Sequence, residues 1–237
     1  MLLNPKKVLW FNTLEVWFPD RIFNDKRYDK IKFKCYNKIK NKNLIETRRH
    51  SLIIDLSKPL EKIWNDFEKR NRNSINKAKK LGIKIKKSNN FRIFYDFYRP
   101  NIEKKKSYIY PLSFLKRGLL FVAKYKDEIV SGSVFLMDKD EKTIVQIVNA
   151  TKKRIHGVNN LLLWHVIKWS KRNELKIFDL GGISLTEDKN DPKYWISFFK
   201  KSFGGKIVPI YEYEIFNSKI YKVLRKINRI KIIQSIL

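Results

Sequence analysis

Between Gly118 and Thr151 the chain carries three β-rich runs, Leu119–Lys126, Ile129–Met137 and Thr143–Ala150, separated only by Asp127-Glu128 and Lys139–Lys142. This stretch limits the fold more than any other. Joints so short turn the chain back on itself, so the runs are expected as an antiparallel meander. A helix follows from about Asn160 to Arg172, with Leu161–Trp164, Val166, Ile167 and Trp169 covering most of its circumference, so it should be deeply buried. Next come a strand at Lys176–Leu180 ending in Gly181-Gly182, a helix at Pro192–Phe203 with proline in its first turn, and a strand at Lys206–Phe216. A meander feeding αβαβ predicts a mixed sheet with helices on both faces, in the α/β (α+β) class.

Upstream, Val8–Phe18, Ile31–Tyr36 and Leu52–Leu56 are β-prone. Ser57 is placed to cap a long amphipathic helix carrying Leu60, Ile63, Trp64, Phe67, Ile75, Ala78 and Leu81, with a break near Asn71–Asn73 and Gly82 at its C′ position. Its other face holds Lys69, Arg70, Arg72, Lys77, Lys79 and Lys80. A second helix is expected from Phe91 to about Lys106, kinked or shortened by Pro100. The segment Ser218–Leu237 reads as a basic amphipathic helix with Ile220, Leu224, Ile227 and Ile230 on one side. Core packing and contact with an anionic membrane both remain open for it. The expected organisation is a β-prone extension over 1–50, an α/β domain over 51–216, and the C-terminal helix over 217–237.

The formal charge of +30, from 53 Lys+Arg against 23 Asp+Glu, favours polyanionic partners, either nucleic acid or anionic lipid. Part of it reflects a bias toward Lys, Ile and Asn that an AT-rich genome would produce. At 43% hydrophobic and 14% aromatic residues, the chain is not a disordered basic tail. A lone cysteine, Cys35, excludes an intramolecular disulfide and a multi-cysteine zinc site. The histidines are His50, His156 and His165, without a paired metal spacing, so no metal and no bound cofactor are expected. No signal-peptide core and no apolar run near the roughly 18 residues of a membrane span is seen, so a soluble, cytoplasmic protein is expected. The oligomeric state is not legible.

Arg154-Ile155-His156-Gly157-Val158-Asn159 joins a strand to the buried helix. Free N–H groups at a helix N-terminus can hold a phosphate, and Arg154, His156, Gly157 and Asn159 are its candidate contacts; an ordinary glycine turn is the alternative. Asp179, at a strand end, can orient an amine, take a proton, or cap the turn of the two glycines. Lys200 follows Phe198-Phe199, where aromatic neighbours can desolvate it; a solvated lysine is the alternative. His165 shares a polar helical stripe with Lys168 and Arg172 and is expected at the surface.

The order meander, R-x-x-G-x-N loop, then αβαβ resembles the GNAT acyltransferase fold. In that fold the corresponding loop, usually Q/R-x-x-G-x-G/A, holds the pyrophosphate of acyl-CoA; here Asn159 stands in place of a small residue. Three further stretches resemble the Fem-type branch of the superfamily: Arg70–Ala78 its R-x-x-x-x-I-x-K-A helix, Phe178–Gly182 its F/Y-D-L-G-G strand end, and Phe198–Gly205 its F-K-x-x-F-G-G block. Fem-type enzymes transfer an amino acid from aminoacyl-tRNA to an amine of a cell-wall peptide precursor. The resemblance therefore implies aminoacyl-tRNA as co-substrate, Phe199 and Lys200 as the F-K pair with the lysine stabilising the oxyanion, and Asp179 beside them. Arg70, Arg72 and Lys77 would suit tRNA phosphates. For the expected cytoplasmic protein, a peripheral position at the inner face of the membrane, where lipid-linked precursors reside, is the alternative to core packing of the C-terminal helix. An acyl-CoA-dependent N-acyltransferase is the alternative on the same scaffold, and a catalytically inactive RNA-binding module is the alternative of another class.

Overall fold

The meander forms as its short joints require. In the computed structural model, which describes residues 1–8, 10–39, 44–104 and 108–227, its strands are β6 (Leu119–Tyr125), β7 (Glu128–Asp138) and β8 (Thr143–Thr151), paired antiparallel in turn. Lys126 and Asp127 adopt left-handed φ values of 49° and 61°, the conformation a tight hairpin loop needs. The chain divides into two compact units, one of Met1–His50 with the residues from Pro209 on, the other of Ser51–Val208.

In the second unit the strands run in the order β4 (Ile45–Asp55, of which the part from Ser51 on belongs to this unit), β9 (Ile177–Ile183), β8, β7, β6, β5 (Lys84–Ser88). Sequence reasoning missed β5 because Ile85 is the one apolar side chain in Lys84–Ser88. Backbone pairing with β6 holds it, and an edge strand rich in lysine resists further pairing. The meander alternates between two cores. Phe121, Ala123, Phe135 and Ile144 pack with the helices α1 (Leu60–Asn65), α2 (Lys69–Lys80) and α5 (Val158–Arg172). Leu120, Val122, Val134 and Val148 pack with α3 (Phe91–Glu103) and α4 (Leu112–Leu115). The mixed sheet with helices on both faces is thus present, and α5 is as deeply buried as its apolar circumference predicts.

The long helix breaks at Asp66–Glu68 rather than near Asn71–Asn73. Phe67 turns into the core, edge-on to Trp164 at 5.4 Å and to Phe203 at 5.2 Å, and Arg72 donates to the carbonyls of Asn65 and Phe67 at the end of α1. Ser57 does not cap α1. Its N–H and hydroxyl bond Asp55 at 2.9 and 2.6 Å, and Pro59 occupies the cap position. Gly82 does end α2: the Gly82 N–H bonds the Lys79 carbonyl and the Ile83 N–H the Ala78 carbonyl, a Schellman arrangement. Asn90 caps α3, accepting from the Ile93 N–H at 3.2 Å. Pro100 lies inside α3; of the expected continuation toward Lys106, residues 105 and 106 fall outside the described residues.

The first unit opens with a hairpin, β1 (Leu2–Val8) and β2 (Phe11–Trp17), where one run from Val8 to Phe18 was expected. β3 (Lys30–Cys35) pairs parallel with β2 and antiparallel with Tyr211–Phe216 of β10 (Lys206–Phe216). One face is apolar, with Leu14, Val16, Ile31, Phe33 and Tyr213. The other is an ion-pair ladder: Lys6 and Lys34 meet Glu15 at 2.8 and 2.7 Å, Lys32 meets Glu212 at 2.8 Å, and Lys30 meets Glu214 at 2.6 Å. Burial pushes the Glu15 carboxyl up, but Lys34 and Lys6 outweigh it and hold it at about 2. In α7 (Lys219–Ile227), Tyr221 is buried edge-on to Phe11 at 4.9 Å, whereas Ile220, expected on the apolar side, is 64% exposed. The rest of the expected C-terminal helix, Ile230 included, lies outside the described residues. Among the described residues no helix is long and apolar enough to cross a membrane.

Two glycines separate backbone strain from steric overlap. Gly82 and Gly157 have φ of +75° and +74°, but a Cβ would meet nothing within 4 Å at Gly82 and would stand 2.1 Å from the Ser74 carbonyl oxygen at Gly157. Gly82→Ala should cost about 1 kcal/mol, and Gly157→Ala about 3 kcal/mol or more, because it must also push α2 away from the start of α5. Urea denaturation checks this, and equal losses would contradict it.

Candidate active site

β8 and β9 are parallel neighbours over only three residue pairs, Thr143–Val145 with Ile177–Asp179. Beyond them β8 stays with β7 as far as Thr151 while β9 runs on to Ile183, and a cleft of about 670 Å³ opens at the carboxyl ends of the two strands. Carboxyl ends of parallel strands are where open α/β sheets bind ligands. Gln146–Asn149 and Leu180–Gly182 line it from the strands, α3 and the segment after it contribute Tyr98, Tyr108 and Tyr110, and α6 (Pro192–Lys201) contributes Trp195, Phe199 and Lys200.

The pitch of α6 aims Lys200 at this gap. Asp191 caps the helix through the Lys193 N–H at 2.8 Å, the buried Ser197 hydroxyl accepts the Ser184 N–H at 2.9 Å, and Phe199 packs edge-on to Phe203 at 5.4 Å. The Lys200 ammonium donates to the Gly182 carbonyl at 2.8 Å. Burial pushes its pKa down to about 8, against the opposing pull of Asp179. Asp179 is itself buried, and its Oδ1 accepts from the Ser51 hydroxyl and, at 2.6 Å, from the Gly181 N–H. It therefore makes the turn-capping contact while leaving its charge near Lys200. Gly181, at φ +77°, has the Gln146 carbonyl oxygen 2.9 Å from where a Cβ would stand, so this turn admits no side chain without displacing β8.

The other predicted residues are not gathered at one point. Asn159 lines the cleft, but its side chain is engaged in the wall: it accepts from the Ser131 hydroxyl at 2.7 Å and donates to the Thr151 hydroxyl at 3.1 Å. Gly157 is the left-handed residue starting α5, packed against α2. Arg154 and His156 are exposed on the same loop, with His156 Nε2 3.2 Å from the Ser74 hydroxyl. Arg70 stacks its guanidinium 3.4 Å from the Phe198 ring centroid and donates to the Phe198 carbonyl at 3.0 Å. Arg72 serves the end of α1, and Lys77 is exposed. His165, expected at the surface, is half-buried with its ring 6.1 Å from Phe121, and burial pushes its pKa down.

Sequence reasoning missed Asn71. It is 1% exposed, donates to the Ser202 carbonyl at 3.0 Å and accepts from Asn160 at 2.8 Å, tying the end of α6 to α2 and α5. Its signal was positional: Asn71 lies four and seven residues before Ile75 and Ala78, on the buried stripe of α2. The tyrosines and Trp195 of the cleft gave no comparable signal, since aromatic residues at such spacing equally describe a core.

Residues 112–192 match the acetyltransferase (GNAT) domain family. No curated protein matches the chain. Among solved structures, the chain is similar to FemX, at 14% identity over 94% of this chain and 86% of that one, with a TM-score of 0.66. It is also similar to the C-terminal DUF2156 domain of a putative lysylphosphatidylglycerol synthetase from Agrobacterium fabrum, at 10% identity over 84% and 72% of the two chains, TM-score 0.59. L-PGS from Bacillus licheniformis gives 16% identity over 86% and 73%, TM-score 0.56. With a splayed pair of parallel strands holding the cleft, the chain contains a GNAT-type domain over residues 112–192 and has a fold similar to that of FemX.

Proposed function

We propose that this chain forms an amide bond by transferring an amino acid from aminoacyl-tRNA to an amine of a cell-wall peptide precursor. The observation that carries the proposal is the half-buried Lys200 ammonium at the mouth of the strand gap, held by the Gly182 carbonyl and flanked by Phe199. In this reading the acceptor nitrogen attacks the ester carbonyl carbon, the C–N bond forms, and negative charge develops on the carbonyl oxygen. Collapse breaks the ester C–O bond, and the tRNA hydroxyl leaves with the proton that the amine gives up. A fixed cation in a water-poor cleft stabilises the developing oxyanion more than the neutral ester. Asp179 and Asn71 act as positioning residues, one on the Gly181-Gly182 turn and one on the end of α6. Of the three α2 residues expected to meet tRNA, Lys77 is left to meet phosphate, since Arg70 and Arg72 are engaged within the fold.

The match of residues 112–192 to an acetyltransferase domain favours a second reading with acyl-CoA as donor. Asn159, inside the loop that would receive a pyrophosphate and fixed to Ser131 and Thr151, speaks for the first. Salt separates them: tRNA binding should weaken log-linearly with salt and prefer a charged acceptor end to generic duplex RNA, while acetyl-CoA binds weakly in calorimetry. Tight acetyl-CoA binding with equal affinity for tRNA and random duplex DNA would overturn the tRNA reading.

Lys200→Met should lower turnover about a hundredfold or more. Because the folded-state pKa is depressed, the charged lysine opposes folding below pH 8, and that cost fades as pH rises from about 8 toward the ordinary 10.5. The variant should therefore melt no lower than the parent at pH 7. The Lys200-dependent limb of the rate should fall as pH rises through about 8 and should vanish from that range in Lys200→Arg, whose guanidinium stays charged. Near-parental turnover of Lys200→Met would refute the catalytic assignment.

A further inference from the structure

The cleft walls carry more information than the reaction uses. Among the described residues, Lys200 is the one charged side chain lining the cleft; no carboxylate faces it. Tyr108 and Tyr110, edge-on to each other at 5.0 Å, line it from the segment after α3, and Trp195 and Ile196, 53% and 51% exposed, line it from α6. Exposed apolar side chains concentrated at one cleft cost solvation unless a ligand covers them. The Tyr98 hydroxyl is also turned to internal use, accepting the Tyr110 N–H at 3.0 Å.

We infer that the cleft selects an uncharged, apolar or aromatic acyl side chain, held by Tyr108, Tyr110, Trp195 and Ile196. This rests on the acyltransferase reading of the same cleft. An aromatic wall by itself can attract a cation. Here, however, a second ammonium would share a poorly hydrated space with Lys200 and find no carboxylate to pair with. An acidic side chain would compete with the reacting carbonyl for Lys200 and bind out of register. An apolar side chain meets neither difficulty and gains burial against four large side chains. The acyl group selected thus differs in kind from a lysyl group, the one carried in the name of a structurally similar synthetase.

The test uses the full chain and non-hydrolysable amide-linked analogues with phenylalanyl, leucyl, lysyl and glutamyl side chains, each built on adenosine and on pantetheine. Binding is read by tryptophan fluorescence and calorimetry. Phenylalanyl and leucyl analogues should bind about a hundredfold more tightly than lysyl or glutamyl analogues on at least one carrier. Trp195→Ala, at an exposed position, should keep its melting temperature and bring the series within about threefold. Lysyl or glutamyl binding equal to or tighter than phenylalanyl would overturn the inference, as would failure of every apolar analogue on both carriers. Apolar preference on pantetheine alone would uphold it while removing the tRNA donor, so the two proposals fail separately.

Discussion

The parting of β8 and β9 after three residue pairs is the constraint on which the rest depends. Two parallel strands that stayed paired would bury their carboxyl ends under one another's backbone. Because they separate, Gln146–Asn149 and Leu180–Gly182 face a shared gap rather than each other. Backbone polar groups so released need partners or a ligand. The Gly182 carbonyl finds one in the Lys200 ammonium, and the Gly181 N–H finds one in Asp179. The cation is thereby fixed by the same opening that admits a substrate.

Holding Lys200 there is a task for the whole second unit. Within α6 only Ser197 is buried, so the placement of the helix depends on polar ties at its ends. Asn71 and the Glu68 N–H both bond the Ser202 carbonyl, and Arg70 bonds the Phe198 carbonyl while stacking on its ring. A cation at the last carbonyls of a helix is also favoured by the helix dipole. The basic pattern of α2 thus has two meanings: Arg70 holds α6 and Arg72 the end of α1, while lysines such as Lys77 remain at the surface. The ladder on Glu15, Glu212 and Glu214 in the first unit makes the same point for β3, whose lysines serve internal pairs. The count of 53 Lys+Arg therefore overstates the basic side chains free to meet a polyanion, while the net charge of +30 already discounts the paired carboxylates.

What was legible in the sequence follows period and spacing. The meander, α5 and the order of later elements were readable because Leu119–Ala150 has short joints and Leu161–Trp169 is apolar over most of its circumference. The resemblance to a family block pointed to Phe199 and Lys200, and both line the cleft. β5 was not readable, since an edge strand needs little apolar surface, and the break at Asp66–Glu68 was not, since it depends on Phe67 reaching Trp164 and Phe203 from distant parts of the chain. Asn159 was read as a phosphate contact of its loop rather than as a side chain fixed in the cleft wall, and the ties of Asn71 were not read at all, because hydrogen-bond partners 28 and 131 positions away cannot be inferred from local pattern. His165 shows the opposite error: a polar stripe on a helix need not face water when an aromatic residue such as Phe121 lies across from it.

The central claim is that the strand gap holds a cation made unusually easy to deprotonate by its burial. A direct titration of the Lys200 side chain, by carbon-13 NMR of the Cε position with Lys200→Arg to assign the resonance, measures that property without a substrate. The account predicts a midpoint of about 8, set by burial and opposed by Asp179, and a further fall in Asp179→Asn as that opposing pull is removed. A midpoint at the ordinary lysine value near 10.5, unmoved by Asp179→Asn, would contradict it.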